Sequence, residues 1–572
     1  MARQGIISPV PALRPFALLL AAWMSHAWAA DVSEMDTALR HLRAGEKARL
    51  EKALGPATFH PLYRVALDLE PSARRVSGRV QVELTVAAPT RAVVLHARPN
   101  AFTPNALVLG PATAQGRPAT LLRKSPSVYR VELPETVPPG TRVRVEVQLR
   151  ATVPAQKEAA EELNPLALLM PRGKEKSDHG AFSSTGTFMQ LVGVVPVLPA
   201  TEEGAEDEPP GVGDLGTSVP AQVLATVSAP AGWEVFAPGE LLGEVPGKDG
   251  RTRYTFAAAA VREFPVFAAK GYERTAMEVG DVAVEVRHAK GQHGEEMLMH
   301  AATALQQLEA KLGPYPWRSL RVVEAPLTDG AGGMEFCGLI TVASMLTGSD
   351  GGGLAALGAQ GLEGMVEFTV AHEVAHQYFA GLVGSDPVRH GVVDEALTQH
   401  AALLVLEGAH GKAVADGARE QQMRAAWHMQ RMMGGQDAPA DRPSASYRNE
   451  SEYAAAVYAK APFLYDAQRK LVGDAAWFRA LRTYVDTYRY RYAGPRSLTE
   501  IVSRLAPAHA AELERLRRRW MDEAHGDEDM GQGMVLPGMG QGGKGMPGLP
   551  TQGMDAESLK ALQQIMKEMG FE

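Results

Sequence analysis

The stretch VEFTVAHEVAHQYFAGLVGSDPVRHGVVDEALTQHAALLVLE, residues 366–407, decides how the chain is read. Two histidines, His372 and His376, stand four apart, with Glu373 directly after the first. On a helix, four residues turn about 400° and rise about 6 Å, so both imidazoles point the same way and can reach one ion. Glu373 lies beside them, placed to take a proton from an attacking water. A catalytic zinc site needs a third protein ligand and an open fourth position. Glu395, after eighteen intervening residues, is the candidate. Gly384 and Pro387 should end the first helix, and VVDEALTQHAALLVLE should start a second, with Asp394 and Glu395 in its first turn. An antiparallel neighbour would bring Glu395 back over the histidines. The competing reading is a buried helix with two ordinary histidines. The glutamate at third-ligand spacing favours zinc, one ion per chain.

Around this stretch the chain has 572 residues, 45% hydrophobic and 22% charged, with a net charge of −8. The length suggests about three or four domains of ordinary size. The charge and the lack of a long Lys/Arg run argue against nucleic-acid binding. Residues 1–29 read as a secretory signal peptide: Arg3 and Arg14, an apolar run from Phe16 to Met24, then Ala27-Trp28-Ala29 as a small-x-small cleavage site. The apolar run is too short to span a membrane, and no later segment is long enough. An exported, periplasmic or extracellular protein is expected. Its single cysteine, Cys337, allows no internal disulfide. Cys337 either lines a cleft or packs as a small hydrophobe.

The expected fold class is multidomain α+β. Residues 30–55 read as a polar helical segment. Residues 56–270 read as an antiparallel β domain, with strands in YRVALDLE, RVSGRVQVELTVAAP, RAVVLHA, VYRVELPE, RVRVEVQLRATV, QVLATVSAP, WEVFAPG and RYTFAAAAV. The acidic, Gly/Pro-rich 201–216 reads as a solvated loop. Residues 271–525 read as a mostly helical catalytic domain. In it SLRVVEAPLTDGAGGMEFCGLITVAS is expected to form two strands around a Gly-rich turn, and 348–364 a flexible loop. Residues 526–553 are Gly/Met-rich and read as a linker; 554–572 read as a short amphipathic helix that could meet a partner.

Two further segments join the zinc pattern. Glu335 sits in DGAGGMEFCGLITV before it, and Tyr458 in AAAVYAKAPFLYDAQRKLVG after it. With these the chain resembles the aminopeptidase N family of zinc peptidases, which includes the leukotriene hydrolase. In that family Gly-x-Met-Glu-Asn precedes HExxH-x18-Glu, and Tyr-x-Lys-Gly follows. LGPYPWRSLRVVEAPL and HQYFAGLVG also resemble family sequence. The resemblance runs from about residue 56 to 524 and implies a strand-rich domain followed by a thermolysin-like domain. It implies that His372, His376 and Glu395 bind zinc, and that Glu373 activates the water. It implies that Tyr458 hydrogen-bonds the tetrahedral oxyanion and that Glu335 binds the substrate's α-amine. Gly332, Gly333 and Met334 then lie along the substrate backbone. Tyr453 and Tyr447 are rivals for the phenol, with the spacing to Lys460 favouring Tyr458. His400, one turn past Glu395, reads as a packed histidine.

The chain departs from the family at Phe336, where the family has Asn, and at Ala461-Pro462, where it has Gly. Nothing near STGTFMQLVGVVPVLP supplies the amine-binding glutamate that the family often takes from its N-terminal domain. A C-terminal helical-repeat domain is not expected. The implied activity is removal of N-terminal residues from peptides with a free amine. A zinc endopeptidase is the alternative if the cleft is open, and a non-catalytic scaffold would be signalled by a lost ligand. None is lost.

Overall fold

The structure is a computed structural model that describes residues 32–156, 177–200, 218–347 and 358–531, apart from 292 and 433. The expected signal peptide, the acidic 201–216 loop and the terminal helix after 554 lie outside the described residues.

Alternation builds the first domain. Along Arg142–Thr152 the residues Val143, Val145, Val147, Leu149 and Ala151 are buried while their neighbours face outward, as a half-buried strand requires. This strand is central in an eight-stranded sheet. Its order is Glu240–Pro246, Arg251–Val261, Ala221–Pro230, Leu62–Glu70, Arg75–Thr85, Arg142–Thr152, Leu107–Ala114, Arg117–Ala119. The expectation of an antiparallel domain holds except at one pair, since Leu62–Glu70 runs parallel to Ala221–Pro230. A three-stranded sheet (Thr90–His96, Val128–Val137, Leu121–Arg123) and a four-stranded one (Glu234–Phe236, Val266–Ala269, Phe188–Leu191, Phe182–Ser184) complete it. Ahead of it lie helices Val32–Leu39 and Glu46–Leu54, and the second reaches the far domain: buried Glu46 accepts from Arg489 Nη1 and Tyr490 Oη, each at 2.8 Å.

The second domain starts with a five-stranded mixed sheet: Tyr272–Val279, Val282–Ala289, Ser319–Ala325, Leu339–Ala343 and the edge strand Gly333–Phe336. The segment expected to give two strands therefore gives three, because Phe336 and Leu339 pair across a tight turn at Gly338 with φ 78°. Helix Gly294–Leu312 follows the second of these strands. The helix carrying the histidines, Gly358–Ala375, begins inside the segment expected to be loop. Each helical Gly is disfavoured by about 1 kcal/mol against Ala. Burial of Val366, Phe368, Val370, Ala371, Val374 and Ala375 supplies the opposing drive.

Helix Val392–His410 packs against that helix and is buried along nearly its whole length. Shorter helical segments continue to Asp522. The fold does not stop at 525. Helix Gly526–Asp529 packs back, and Met530 is fully buried. Packed structure thus runs through Met530, past the linker boundary expected at 526, because Asp527, Glu528 and Asp529 pair with Arg431 and Arg519. Among the described residues no helix is long and apolar enough to cross a membrane.

Candidate active site

The histidine helix ends at Ala375, and the chain turns beneath the site. His376 keeps helical register, its N–H bonding the His372 carbonyl at 3.1 Å. Its Nδ1 meets the Phe379 carbonyl at 2.8 Å, which fixes the ring with Nε2 turned to the cleft. Thr398 Oγ1 lies 3.2 Å from the same Nδ1. Helix Val392–His410 presents Glu395 from its first turn. Asp394 Oδ1 accepts the Glu395 N–H at 2.9 Å, and its other oxygen takes the Ser385 hydroxyl. Asp394 therefore serves the helix N-terminus and is not one of the three residues of the ion-sized cluster.

Three acceptor atoms converge. His372 Nε2 and His376 Nε2 are 3.0 Å apart, and Glu395 Oε2 is 3.4 Å from the first and 3.1 Å from the second. Tetrahedral zinc at its usual bond lengths separates its ligand atoms by about 3.3 Å, so the triangle fits the ion. All three residues are at least nine-tenths buried. The cluster calls for a positive charge. Burial works against an imidazolium at His376, yet Glu335 and Glu395 outweigh it and push its pKa well up. His372 goes the other way, its pKa lowered by burial. Burial would raise Glu395, but His376 and His372 hold its carboxyl well below the usual range.

Glu373 points from the same helix toward the edge strand. A Cβ added at Gly333 would lie 2.5 Å from its carboxylate, so only glycine permits this approach. Gly332 is different: its nearest neighbour would be Thr369 at 3.4 Å, an ordinary contact. Glu335 Oε1 stands 3.9 Å from His376 Nδ1. Alternation along the edge strand puts Met334 and Phe336 on its other face. The Phe336 ring packs on Phe267 of the first domain, with centroids 6.1 Å apart. It anchors the hairpin there, which gives a physical reason for the apolar residue at this position. Cys337 is buried on the cleft wall, and burial pushes its thiol pKa up.

Tyr458 lies on the π-helical segment Ala454–Lys460 and donates its hydroxyl to Glu395 Oε1 at 2.5 Å. Its ring centroid is 6.0 Å from that of His372. Tyr453 also lines the cleft, but the hydroxyls of both rivals are turned elsewhere. Tyr447 donates to the Ala440 carbonyl at 2.7 Å, and the Tyr453 hydroxyl lies against the backbone at Gly391. His400 is packed, with Trp477 Nε1 donating to its Nε2 at 3.2 Å and Asp466 3.1 Å from Nδ1.

Sequence reasoning missed two glutamines. Gln377, directly after HExxH, donates to the Phe336 carbonyl at 2.9 Å and accepts the Gly338 N–H at 2.7 Å, holding the hairpin that carries Glu335. Gln399, one turn past Glu395, donates to the Tyr458 carbonyl at 3.3 Å and is a polar neighbour of His372. Its four-residue spacing from Glu395 was the available signal. The cleft around these groups measures about 560 Å³, and the first domain forms one wall through Asp178, His179, Arg262 and Glu263. Glu263 is paired with Arg98. His179 reaches across to Glu450 at 3.7 Å.

Residues 297–520 match the Peptidase family M1 domain. No curated protein is significantly similar to the chain. The fold is shared with solved structures at low identity. The M1 zinc metallopeptidase from Deinococcus radiodurans has a TM-score of 0.56 at 19% identity, over 81% of this chain and 94% of that one. A Glu-to-Ala mutant from the same organism, bound to a Tyr-Ser-Ala substrate, gives 0.56 at 20% over the same shares. A two-domain M1 zinc metallopeptidase mutant bound to L-arginine gives 0.56 at 19%, over 81% and 95%. Residues 297–520 thus carry the likeness to the Peptidase family M1 domain, and the solved structures that share the fold are M1 zinc metallopeptidases.

Proposed function

We propose that the protein is an exported aminopeptidase that removes the first residue of peptides with a free N-terminus. The observation that carries the reading is a carboxylate, Glu335, standing on an edge strand beside the His372–His376–Glu395 cluster. Zinc, one per chain, would be held by those three residues and would supply Lewis-acid polarisation of the scissile carbonyl and a lowered pKa for the attacking water. Glu373 takes the proton of that water at its carboxylate and passes it to the leaving amine. Tyr458 releases Glu395 Oε1 and turns its O–H toward the oxygen that gains charge in the transition state. Glu335 pairs with the substrate ammonium and fixes the cut after one residue. The His179–Glu450 contact across the cleft favours short chain ends over the middle of a long peptide. The tripeptide held by a protein of the same fold is in keeping with this substrate class. Export rests on the sequence of residues 1–29 alone.

Free and N-acetylated aminoacyl substrates test the reading. Acetylation should weaken kcat/KM by at least about 2 kcal/mol, roughly thirtyfold, because Glu335 loses its ammonium partner. Glu335→Ala should narrow that gap. Internal cleavage of acetylated peptides at the rate of free ones would make the protein a zinc endopeptidase instead.

A further inference from the structure

The lysine of the Tyr-x-Lys segment has no part in the chemistry above, yet it is among the most buried charges in the molecule. Lys460 is 1% exposed. Its ammonium donates to Asp437 Oδ1 at 2.9 Å, to the Ala438 carbonyl and to the Glu523 carbonyl at 3.4 Å. All three donors are thereby satisfied. The same Asp437 accepts the Gly526 N–H on Oδ2 at 2.6 Å. Trp427 covers the site, with Lys460 Nζ 5.8 Å from its ring. The fit leaves no room: a Cβ at Gly526 would lie 2.5 Å from Trp427 and 2.9 Å from Lys460 Cδ. One buried ammonium thus joins three stretches that are far apart in sequence, around 437, 460 and 523–526.

Its position relative to Tyr458 gives this joint a consequence. Residues two apart lie about 200° around an α-helix and roughly 160° around the wider π-helix, so Tyr458 and Lys460 leave nearly opposite sides of the segment. The front carries the phenol into the cleft, and the back is tied down. The segment is π-helical over Ala454–Lys460, a geometry that packing has to hold in place. At the front the Tyr458 ring packs on His372 and Tyr453, and its hydroxyl is bonded to Glu395, which it must leave to reach substrate, while Gln399 donates to its carbonyl.

We infer that Lys460, clamped between Asp437 and the Glu523–Gly526 segment, is a positioning residue that sets the depth of the Tyr458 phenol in the cleft. The closing segment of the fold is thereby part of the machinery of turnover, although it does not touch the cleft. The inference rests on the assignment of Tyr458 as oxyanion donor. It predicts that loss of the ammonium lowers kcat through Tyr458, with binding of ground-state substrate and of the metal left as they are.

The test is a double-mutant cycle in the full-length, zinc-loaded enzyme with a free-amine aminoacyl substrate. Lys460→Met keeps the aliphatic stem and removes the charge. Asp437→Asn keeps an acceptor for Gly526 and serves as the second variant if Lys460→Met does not fold. Either should lower kcat at least about tenfold, with KM within about twofold and zinc content unchanged. Tyr458→Phe should lower kcat on the order of a hundredfold. Adding either clamp variant to Tyr458→Phe should then change kcat by less than about twofold. An equal further loss in the Tyr458→Phe background would overturn the positioning role while leaving the oxyanion assignment intact. Wild-type kcat in both clamp variants would also overturn it. Wild-type kcat in Tyr458→Phe would sink the oxyanion assignment and this inference with it.

Discussion

At the scale of single residues, Glu373 and Gly333 behave as one unit. The carboxylate occupies the space a Cβ at 333 would take. Gly333→Ala should therefore displace the proposed base, lowering kcat at least about tenfold with zinc retained, since the proposed ligands are elsewhere. Metal analysis alongside kinetics checks both halves. Glu373→Gln removes the base without moving a ligand and should abolish turnover in a protein that still holds zinc; loss of the metal would place Glu373 among the ligands. Gln399 invites a different measurement. It links His372 to the carbonyl of Tyr458. Gln399→Leu should weaken zinc binding about 10- to 100-fold in chelator competition, the usual loss when an orienting partner of a metal ligand is removed. Unchanged affinity would make Gln399 a packing residue.

At the scale of elements, two helices and a hairpin assemble the site, and the end of the fold buttresses it from behind. Helix Gly526–Asp529 is only four residues long and could not persist alone. It is held by the Gly526 N–H bond to Asp437, by Arg431 and Arg519 pairing with Asp527 and Asp529, and by burial of Met530. A chain ending at 531 should fold and turn over like the full-length protein. A chain ending at 525 leaves Asp437 Oδ2 without its donor and opens the Met530 site. It should lose about 2–4 kcal/mol by denaturant melts, from the vacated methionine site and the lost buried bond. Equal stability of the two chains would show that 526–530 contributes nothing.

At the scale of the whole molecule, the joint between the domains is electrostatic as well as apolar. Arg321 of strand Ser319–Ala325 bonds both Glu285 and the Ala237 carbonyl of the first domain, and Arg287 reaches Glu234 at 2.9 Å. Burial alone would raise Glu285, but Arg321 and Arg287 overcome it and hold its carboxyl well below the ordinary range. Because the folded pKa lies below the unfolded one, this stabilisation is complete above about pH 5 and is lost as pH falls through the unfolded value near 4.3 toward the folded one. Thermal melts of wild type should fall across that window. Glu285→Gln should start on the order of 3 kcal/mol lower at pH 7 and show a shallower fall. A parallel pH dependence in both proteins would assign the acid sensitivity to other carboxylates.

Spacing alone put both histidines on one side of a helix and a glutamate at the start of the next, because a helix converts a four-residue interval into a shared face whatever surrounds it. Alternation in RVRVEVQLRATV likewise told strand from helix, since a sheet with one buried face imposes a period of two. The spacing to Lys460 favoured Tyr458 among three phenols, but local sequence could not show what each hydroxyl meets. Tyr447, Tyr453 and Tyr458 are the same side chain within twelve residues, and only the packing of the 454–460 turn against helix Val392–His410 separates them. The glycines at 358, 361 and 364 read as loop because propensity counts only the chain's own backbone. The burial that makes them helical comes from partners far along the sequence. The boundary after 525 was misplaced for the same reason. Gly526, Asp527 and Asp529 are ordinary linker residues until Asp437, Arg431 and Arg519 are brought beside them, and only the tertiary structure does that.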